Sequence, residues 1–224
     1  MTNYSNLTKI NYQVVDDMGP WVLRDKFENE QSWDYIVNDW HTIFRSAIID
    51  NVANRGTALQ AGGWQGLYPA LLSNLFETVY TFEPDPVNFY CLTQNCQKDN
   101  IHKFQSTLSD KCGVVTFEEV ITTGQGRVEH TDSWNIHVEK RYTVPTLTID
   151  SLNLPKCDLI MLDVESFEHP VLLGAMHTIR KFSPIVITEK NFRPDDNIKT
   201  IQLMNGFGYY LKCEYPLDML FAVK

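Results

Sequence analysis

The first periodic stretch of the chain begins at Ser32, where Trp33, Ile36, Val37, Trp40, Ile43, Phe44 and Ala47 recur at intervals of three and four. That is the spacing of one helix face. The residues before it are polar up to about Asp25, and Asp50-Asn-Val-Ala-Asn-Arg-Gly56 reads as the helix exit, with Gly56 as its punctuation. Residues 1–56 are therefore expected to form an N-terminal helical extension packed on a main domain over 57–224. In that arrangement Trp33, Trp40 and Phe44 are core residues. A substrate lid is the alternative role.

From Thr57 the pattern changes to short apolar runs alternating with amphipathic ones. Thr57-Ala-Leu-Gln-Ala61 reads as a strand, followed by a glycine-rich turn and a helix from Leu67 to about Phe76. Thr78–Phe82 is a second strand, Glu83-Pro-Asp-Pro86 a turn, and Val87 to about Lys98 a helix, with Pro86 suited to its first position. Lys103–Leu108 is a third strand. This alternation argues for an α/β domain whose parallel sheet is built from right-handed βαβ units. Residues 112–149 break the rhythm. Gly113–Ile121 and Ile136–Val144 read as strands around a polar loop, Thr122–Asn135, so a β-hairpin arm is expected that shapes a substrate pocket or supports a homodimer.

Alternation resumes with strand Asp158–Asp163, helix Pro170–Lys181, strand Pro184–Thr188 and helix Asp196–Asn205, which has Gly206 and Gly208 just past its end. Tyr209–Cys213 and Met219–Val223 close the chain. The turn around Pro216-Leu-Asp218 is too short for a parallel crossover, so these two strands are antiparallel.

Composition narrows the function classes. With 12% aromatic and 43% hydrophobic residues in 224, the chain has ample core material. No apolar run approaches the ~20 residues of a bilayer span. Nineteen basic against 28 acidic side chains leave a net charge of −9. Basic clusters such as Lys140-Arg141 are short, so neither nucleic acid nor membrane is expected as a partner. The first residues show no basic segment or apolar stretch of a signal peptide. The five cysteines form no Cys-x-x-Cys pair, so neither a disulfide framework nor a zinc site is expected. A reducing cytoplasm fits.

The chemistry concentrates in Gln60-Ala-Gly-Gly-Trp-Gln-Gly66, which lies between a strand and a helix. Glycines there let the backbone turn sharply and approach a ligand closely. Glu83, at the end of the next strand, stands where an acidic side chain can accept both hydroxyls of a ribose. Together they point to a nucleoside cofactor. No Gly-x-x-x-x-Gly-Lys-Ser/Thr sequence occurs, which removes a nucleoside triphosphate P-loop. A dinucleotide fingerprint would need glycine at 61, where the chain has Ala61.

Five segments in order, Gly62-Gly-Trp-Gln-Gly66, Phe82-Glu-Pro-Asp-Pro86, Thr107-Leu-Ser-Asp110, Thr148-Ile-Asp-Ser-Leu152 and Asp163-Val-Glu-Ser-Phe-Glu168, resemble the motifs of the FkbM-type S-adenosylmethionine methyltransferases. The resemblance implies a class I methyltransferase fold: a three-layer, doubly wound, mostly parallel seven-stranded sheet with an antiparallel last strand. It also implies methyl transfer to oxygen on a small molecule of the sugar or glycan kind, with S-adenosylhomocysteine as product. By position, Gln60, Gly62, Gly63, Trp64 and Gly66 would cradle the methionine part of the cofactor. Glu83 would hold the ribose, Pro84 and Asp85 would shape the adenine side, Thr107, Leu108 and Asp110 would lie near the adenine, and Asp163 near the sulfonium. The chain departs from the family twice: Gln60 replaces an acidic residue, and Ser166 replaces the glycine of Asp-Val-Glu-Gly.

A hydroxyl acceptor benefits from a base that removes its proton as the oxygen attacks. Asp163, Glu165, Glu168, His169 and Glu189 are the candidates, with Glu165 and Glu189 expected to face the acceptor. The bland alternative is that such a residue caps a helix or pairs with Lys190. No metal ligand is assigned. The oxygen-rich set Asp163, Glu189 and Asn191 is the alternative, as a magnesium site. Two rival functions stand beside this reading: an NAD-linked oxidoreductase, and a module that keeps the fold without turnover, which Gln60 and Ser166 would favour.

Overall fold

The computed structural model describes residues 7–10, 21–24, 47–120, 126–129, 138–191 and 194–224. Apart from Ala47, the helix expected from Ser32 lies outside them. Residues 47–51 are helical (α1). The polar N-terminal stretch contains two strands that hydropathy did not predict, β1 (Leu7–Ile10) and β2 (Trp21–Arg24), paired antiparallel.

The main sheet comprises β3 (Thr57–Ala61), β4 (Thr78–Phe82), β5 (Ile101–Phe104), β10 (Leu159–Leu162), β11 (Ile185–Glu189), β12 (Tyr209–Glu214) and β13 (Asp218–Val223). Its order is β12-β13-β11-β10-β3-β4-β5. β13 runs antiparallel to β11 and β12, while β11, β10, β3, β4 and β5 pair in parallel. This is the seven-stranded α/β sheet expected, with its reversed last strand.

Side chains alternate across the sheet and so define the layers. Leu59, Ile160, Leu162, Val186 and Phe221 point to one face, where Val171, Leu172, Ile179 and Met204 pack on them. These come from α4 (Glu168–Leu173), α5 (Met176–Phe182) and α6 (Pro194–Gly206). Ala58, Leu159, Met161, Ile187 and Leu220 point the other way, onto α1 and onto Tyr68 and Leu72 of α2 (Leu67–Ser73). α3 (Pro86–Asn95) starts with Pro86, as expected, and is capped by Asp85, whose Oδ1 accepts the N–H groups of Val87 and Asn88 at 2.8 and 2.9 Å. β3 and β10 are buried along their whole length, which explains why they read as unbroken apolar runs.

Three expectations need correction. The strand predicted over Lys103–Leu108 is two: β5, and β6 (Thr107–Leu108), which leaves the main sheet to pair with the arm. The arm is more than a hairpin. β7 (Gly113–Val120) and β9 (Val138–Leu147) pair antiparallel, and β8 (Gly126–Val128), inside the predicted loop, adds to β7. The result is a four-stranded sheet, β6-β9-β7-β8. Finally, the helix predicted over Pro170–Lys181 breaks after Leu173. A Cβ on Gly174 would stand 2.0 Å from the carbonyl oxygen of Ser109. Asp150 then caps the restarted helix, accepting from the N–H groups of His177 and Thr178 at 2.9 and 2.8 Å. The five cysteines are free, and among the described residues no helix is long and apolar enough to cross a membrane.

Candidate active site

The carboxyl ends of β3, β4, β10 and β11 lie side by side, the edge where open α/β sheets receive ligands. At the first of them the chain turns back on itself. The N–H groups of Gly62 and Gly63 both donate to the Phe82 carbonyl, at 3.1 and 2.9 Å. Gly62 has φ +82, and a Cβ there would fall 1.8 Å from the backbone oxygen of Asp163. Only glycine lets the loop lie this close to the end of β10. Trp64 is also left-handed, at φ 45, and its N–H donates to Glu83 Oε2 at 2.7 Å.

Gln60 has a local role. Its Nε2 donates to the carbonyls of Ala61 and Gly62 at 3.1 and 2.7 Å, and its Oε1 accepts from Thr81 Oγ1 at 2.7 Å. The amide thus fastens the loop to β4. Glu83 accepts from the N–H of Asp85 with its other oxygen, at 2.8 Å. Burial, and then the neighbouring Asp85 charge, raise its pKa to about 8 against those two N–H bonds and Arg24. Pro84 is buried next to it.

The carboxylate of Asp85 is engaged apart from any ligand: it caps α3, pairs with Arg24 at 3.3 Å and accepts from the Tyr142 hydroxyl at 2.7 Å. Thr107 and Leu108 are buried where β6 pairs with β9, whereas Asp110 is exposed and accepts from Ser109 Oγ at 2.9 Å.

The second pole of the site is acidic. Asp163, Glu165 and Glu189 each bring a carboxylate oxygen within 4.8 Å of the others. Burial pushes both Asp163 and Glu189 upward, and the Asp163 charge raises Glu189 further, so the pair holds one proton between them. Burial, then the charges of Asp163 and Glu168, raise Glu165 to about 8. Glu168, at the start of α4, is raised to about 7 chiefly by burial. It accepts from the Val164 N–H and from Asn191 Nδ2, both at 3.1 Å. Asp218 faces Glu189 in the antiparallel register and is likewise raised to about 7, by burial first and then by Asp163. Lys190 pairs with Glu214 at 2.9 Å, leaving the pole without that cation as a direct partner.

Glu165 and Ser166 both take left-handed backbone, φ 53 and 73. The family's glycine at 166 is therefore a conformational requirement, which serine meets at a cost of about 1 kcal/mol. Strain of this kind is tolerated where it aims a side chain, and here the turn carries Glu165.

The structure thus brings Asp163, Glu165 and Glu189 together, with Glu83 and the glycine loop on the same edge. Asn191, expected with Asp163 and Glu189 in an alternative metal set, donates its Nδ2 to Glu168, while its Oδ1 is buried without a hydrogen-bond partner. His169 lies near Lys199 and Asp196, with its pKa lowered by burial and then by Lys199. Asp218, Tyr142, Arg24 and Glu119 were not anticipated. The pairing of Asp218 with Glu189 follows from antiparallel register, and the others meet across long stretches of chain that carry no local signal.

Comparison with known proteins bears on the family and the fold. The sequence profile described as the methyltransferase FkbM domain matches residues 52–211. A search of curated proteins gives no match. Among solved structures, a methyltransferase FkbM from Methylobacillus flagellatus KT superposes with a TM-score of 0.55 at 17% identity, over 81% of this chain. The match spans 46% of that longer protein. Magnesium protoporphyrin IX methyltransferase (ChlM) from Synechocystis PCC 6803, solved with SAM bound, gives 0.50 at 11% identity, over 88% of this chain and 85% of that one. With a seven-stranded fold of this order and a profile match across most of its length, the chain belongs to the FkbM methyltransferase family.

Proposed function

We propose that the protein transfers the methyl group of S-adenosylmethionine to a hydroxyl oxygen of a small molecule, in the sugar or glycan class. One observation carries the reading: the buried Glu83 and the acidic pole of Asp163, Glu165 and Glu189 stand on one sheet edge, joined through the contact of Gly62 with Asp163. The residues fit the cofactor. Each Glu83 oxygen holds one N–H, and a carboxylate has about four acceptor positions, so capacity remains for both ribose hydroxyls. Gln65 Nε2, Ser106 Oγ and Thr146 Oγ1 are buried without hydrogen-bond partners in segments bordering this edge. The similarity to a protein solved with SAM bound supports the same choice.

Bound there, S-adenosylmethionine supplies an electrophilic methyl group and departs as S-adenosylhomocysteine. Asp163 offers its charge to the cationic end. Glu189, which keeps its proton, aligns the acceptor, and Glu165 takes the hydroxyl proton, so that oxygen attacks as its O–H bond breaks. The cytoplasm, where free cysteines persist, is the location this reading assigns.

The test is transfer of tritiated methyl from S-adenosylmethionine to panels of polyols, sugars and amines. Alkali-stable label on hydroxyls, with one S-adenosylhomocysteine released per methyl, is the expected result. The rate should rise with pH to a plateau above about 8, because Glu165 acts in its deprotonated form. Label confined to amines, or a rate that falls as pH rises to 8, would overturn the oxygen assignment.

A further inference from the structure

Strand β2 is tied down by side chains of the cofactor half of the fold. The Val22 N–H donates to Asn95 Oδ1 at 2.7 Å, and Asn95 Nδ2 donates back to the Val22 carbonyl at 2.9 Å and to that of Gln65 at 2.7 Å. The Arg24 N–H donates to Gln65 Oε1 at 3.1 Å. Trp21 and Leu23 are buried among Leu67, Ala70, Leu92 and Cys96, so the strand fills the groove between α2 and α3 beside the glycine loop.

The strand delivers the Arg24 side chain, itself only 11% exposed, to two buried carboxylates. One is Asp85, at 3.3 Å, two residues beyond Glu83. The other is Glu119, on the arm strand β7. The arm reaches the same place a second time, through the Tyr142 hydroxyl on Asp85 Oδ2. Phe117, Glu119 and Tyr142 share one face of the arm, with Phe117 and Tyr142 in ring contact at 5.6 Å.

We propose that Arg24 is a positioning residue of the cofactor site, joining the N-terminal ribbon and the arm to the turn that bears Glu83 so that both close over the nucleoside end as one unit. A guanidinium suits this place because its fork of donors can serve two carboxylates at once, which a lysine ammonium does less well. The cofactor part of the proposal rests on the role given above to Glu83; the ribbon–arm coupling does not.

The experiment follows both parts in the full chain. Amide exchange in Glu119→Gln, which retains the Arg24–Asp85 pair, should speed up in β2 as well as in β7, although the two strands are far apart in sequence. Affinity for S-adenosylhomocysteine should fall about tenfold in Arg24→Met and recover in part in Arg24→Lys. In turnover the loss should appear in KM for S-adenosylmethionine more than in kcat. Faster exchange in β7 with β2 unchanged would overturn the coupling. A wild-type protein that binds S-adenosylhomocysteine, with Arg24→Met within about twofold of it, would overturn the positioning role. A wild type that does not bind would overturn the reading of Glu83 and the positioning role with it, while the exchange result still decides the coupling.

Discussion

Glu189→Gln is expected to melt about 3–8 °C above the wild type at pH 8 while losing methyl transfer on the order of 10²-fold, because the protonated carboxyl that aligns the acceptor is gone. The two effects share one cause. Glu189 is surrounded by Asp163, Glu165, Glu168 and Asp218, and burial followed by these charges holds its pKa far above the carboxylate range. Glu165, Glu168 and Asp218 are themselves raised to about 8, 7 and 7.

In the unfolded chain these groups titrate near pH 4. Between about pH 4 and 8 the folded protein therefore binds more protons than the unfolded chain, and stability declines as pH rises. The contribution is fully present below pH 4 and lost as pH climbs through 7 and 8. The fold keeps Glu189 protonated at pH 8, which costs stability because the unfolded carboxyl is ionised there; an amide at 189 is neutral without that cost and can still donate toward Asp163. Thermal melts from pH 5 to 9 should show a falling wild-type midpoint and a flatter variant. Equal or lower stability of the variant at pH 8 would mean that the pole is not strained. Stability given up for function in this way is common at active sites.

The second large effect is expected at Gly62→Ala. The new Cβ meets the Asp163 backbone oxygen at 1.8 Å, and the residue must hold φ +82. Neither atom can step aside cheaply, because the Asp163 N–H is bonded to the Ala61 carbonyl at 3.1 Å and the loop amides to that of Phe82. Overpacking and left-handed strain together should cost roughly 3–4 kcal/mol in urea unfolding. Gly206→Ala is the control. Nothing lies within 4 Å of its Cβ, and it should stay within about 0.5 kcal/mol of wild type. Similar losses at both positions would contradict the close contact between loop and β10.

Much of the fold was legible because strand burial and sequence pattern coincide. β3, β10 and β11 read as apolar runs because sheet neighbours and helices cover them on both faces. The reversed last strand followed from the length of one turn. What escaped was decided by distant partners. The helix breaks at Gly174, where only the absence of a Cβ admits the Ser109 carbonyl, and the periodicity of 170–181 carries no trace of that contact. Residues 126–128 became a strand only through β7, and β6 left the main sheet for Thr146 and Leu147 of β9.

The site divides in the same way. Glu83, the glycine loop and the Asp163–Glu168 segment were visible as spaced motifs. The hydrogen-bond roles of Gln60 and Asp85, and the arrival of Arg24 and Tyr142, were not, since each depends on a contact between separate elements.

The central claim is that Glu83 holds the ribose of S-adenosylmethionine, and calorimetric titration tests it most directly. Wild type and Glu83→Ala are each titrated with S-adenosylmethionine, S-adenosylhomocysteine and NAD. The account predicts wild-type binding of the first two with dissociation constants on the order of micromolar, a loss of tenfold or more in the variant, and no response to NAD. Binding of NAD alone, or equal affinity in wild type and variant, would contradict it.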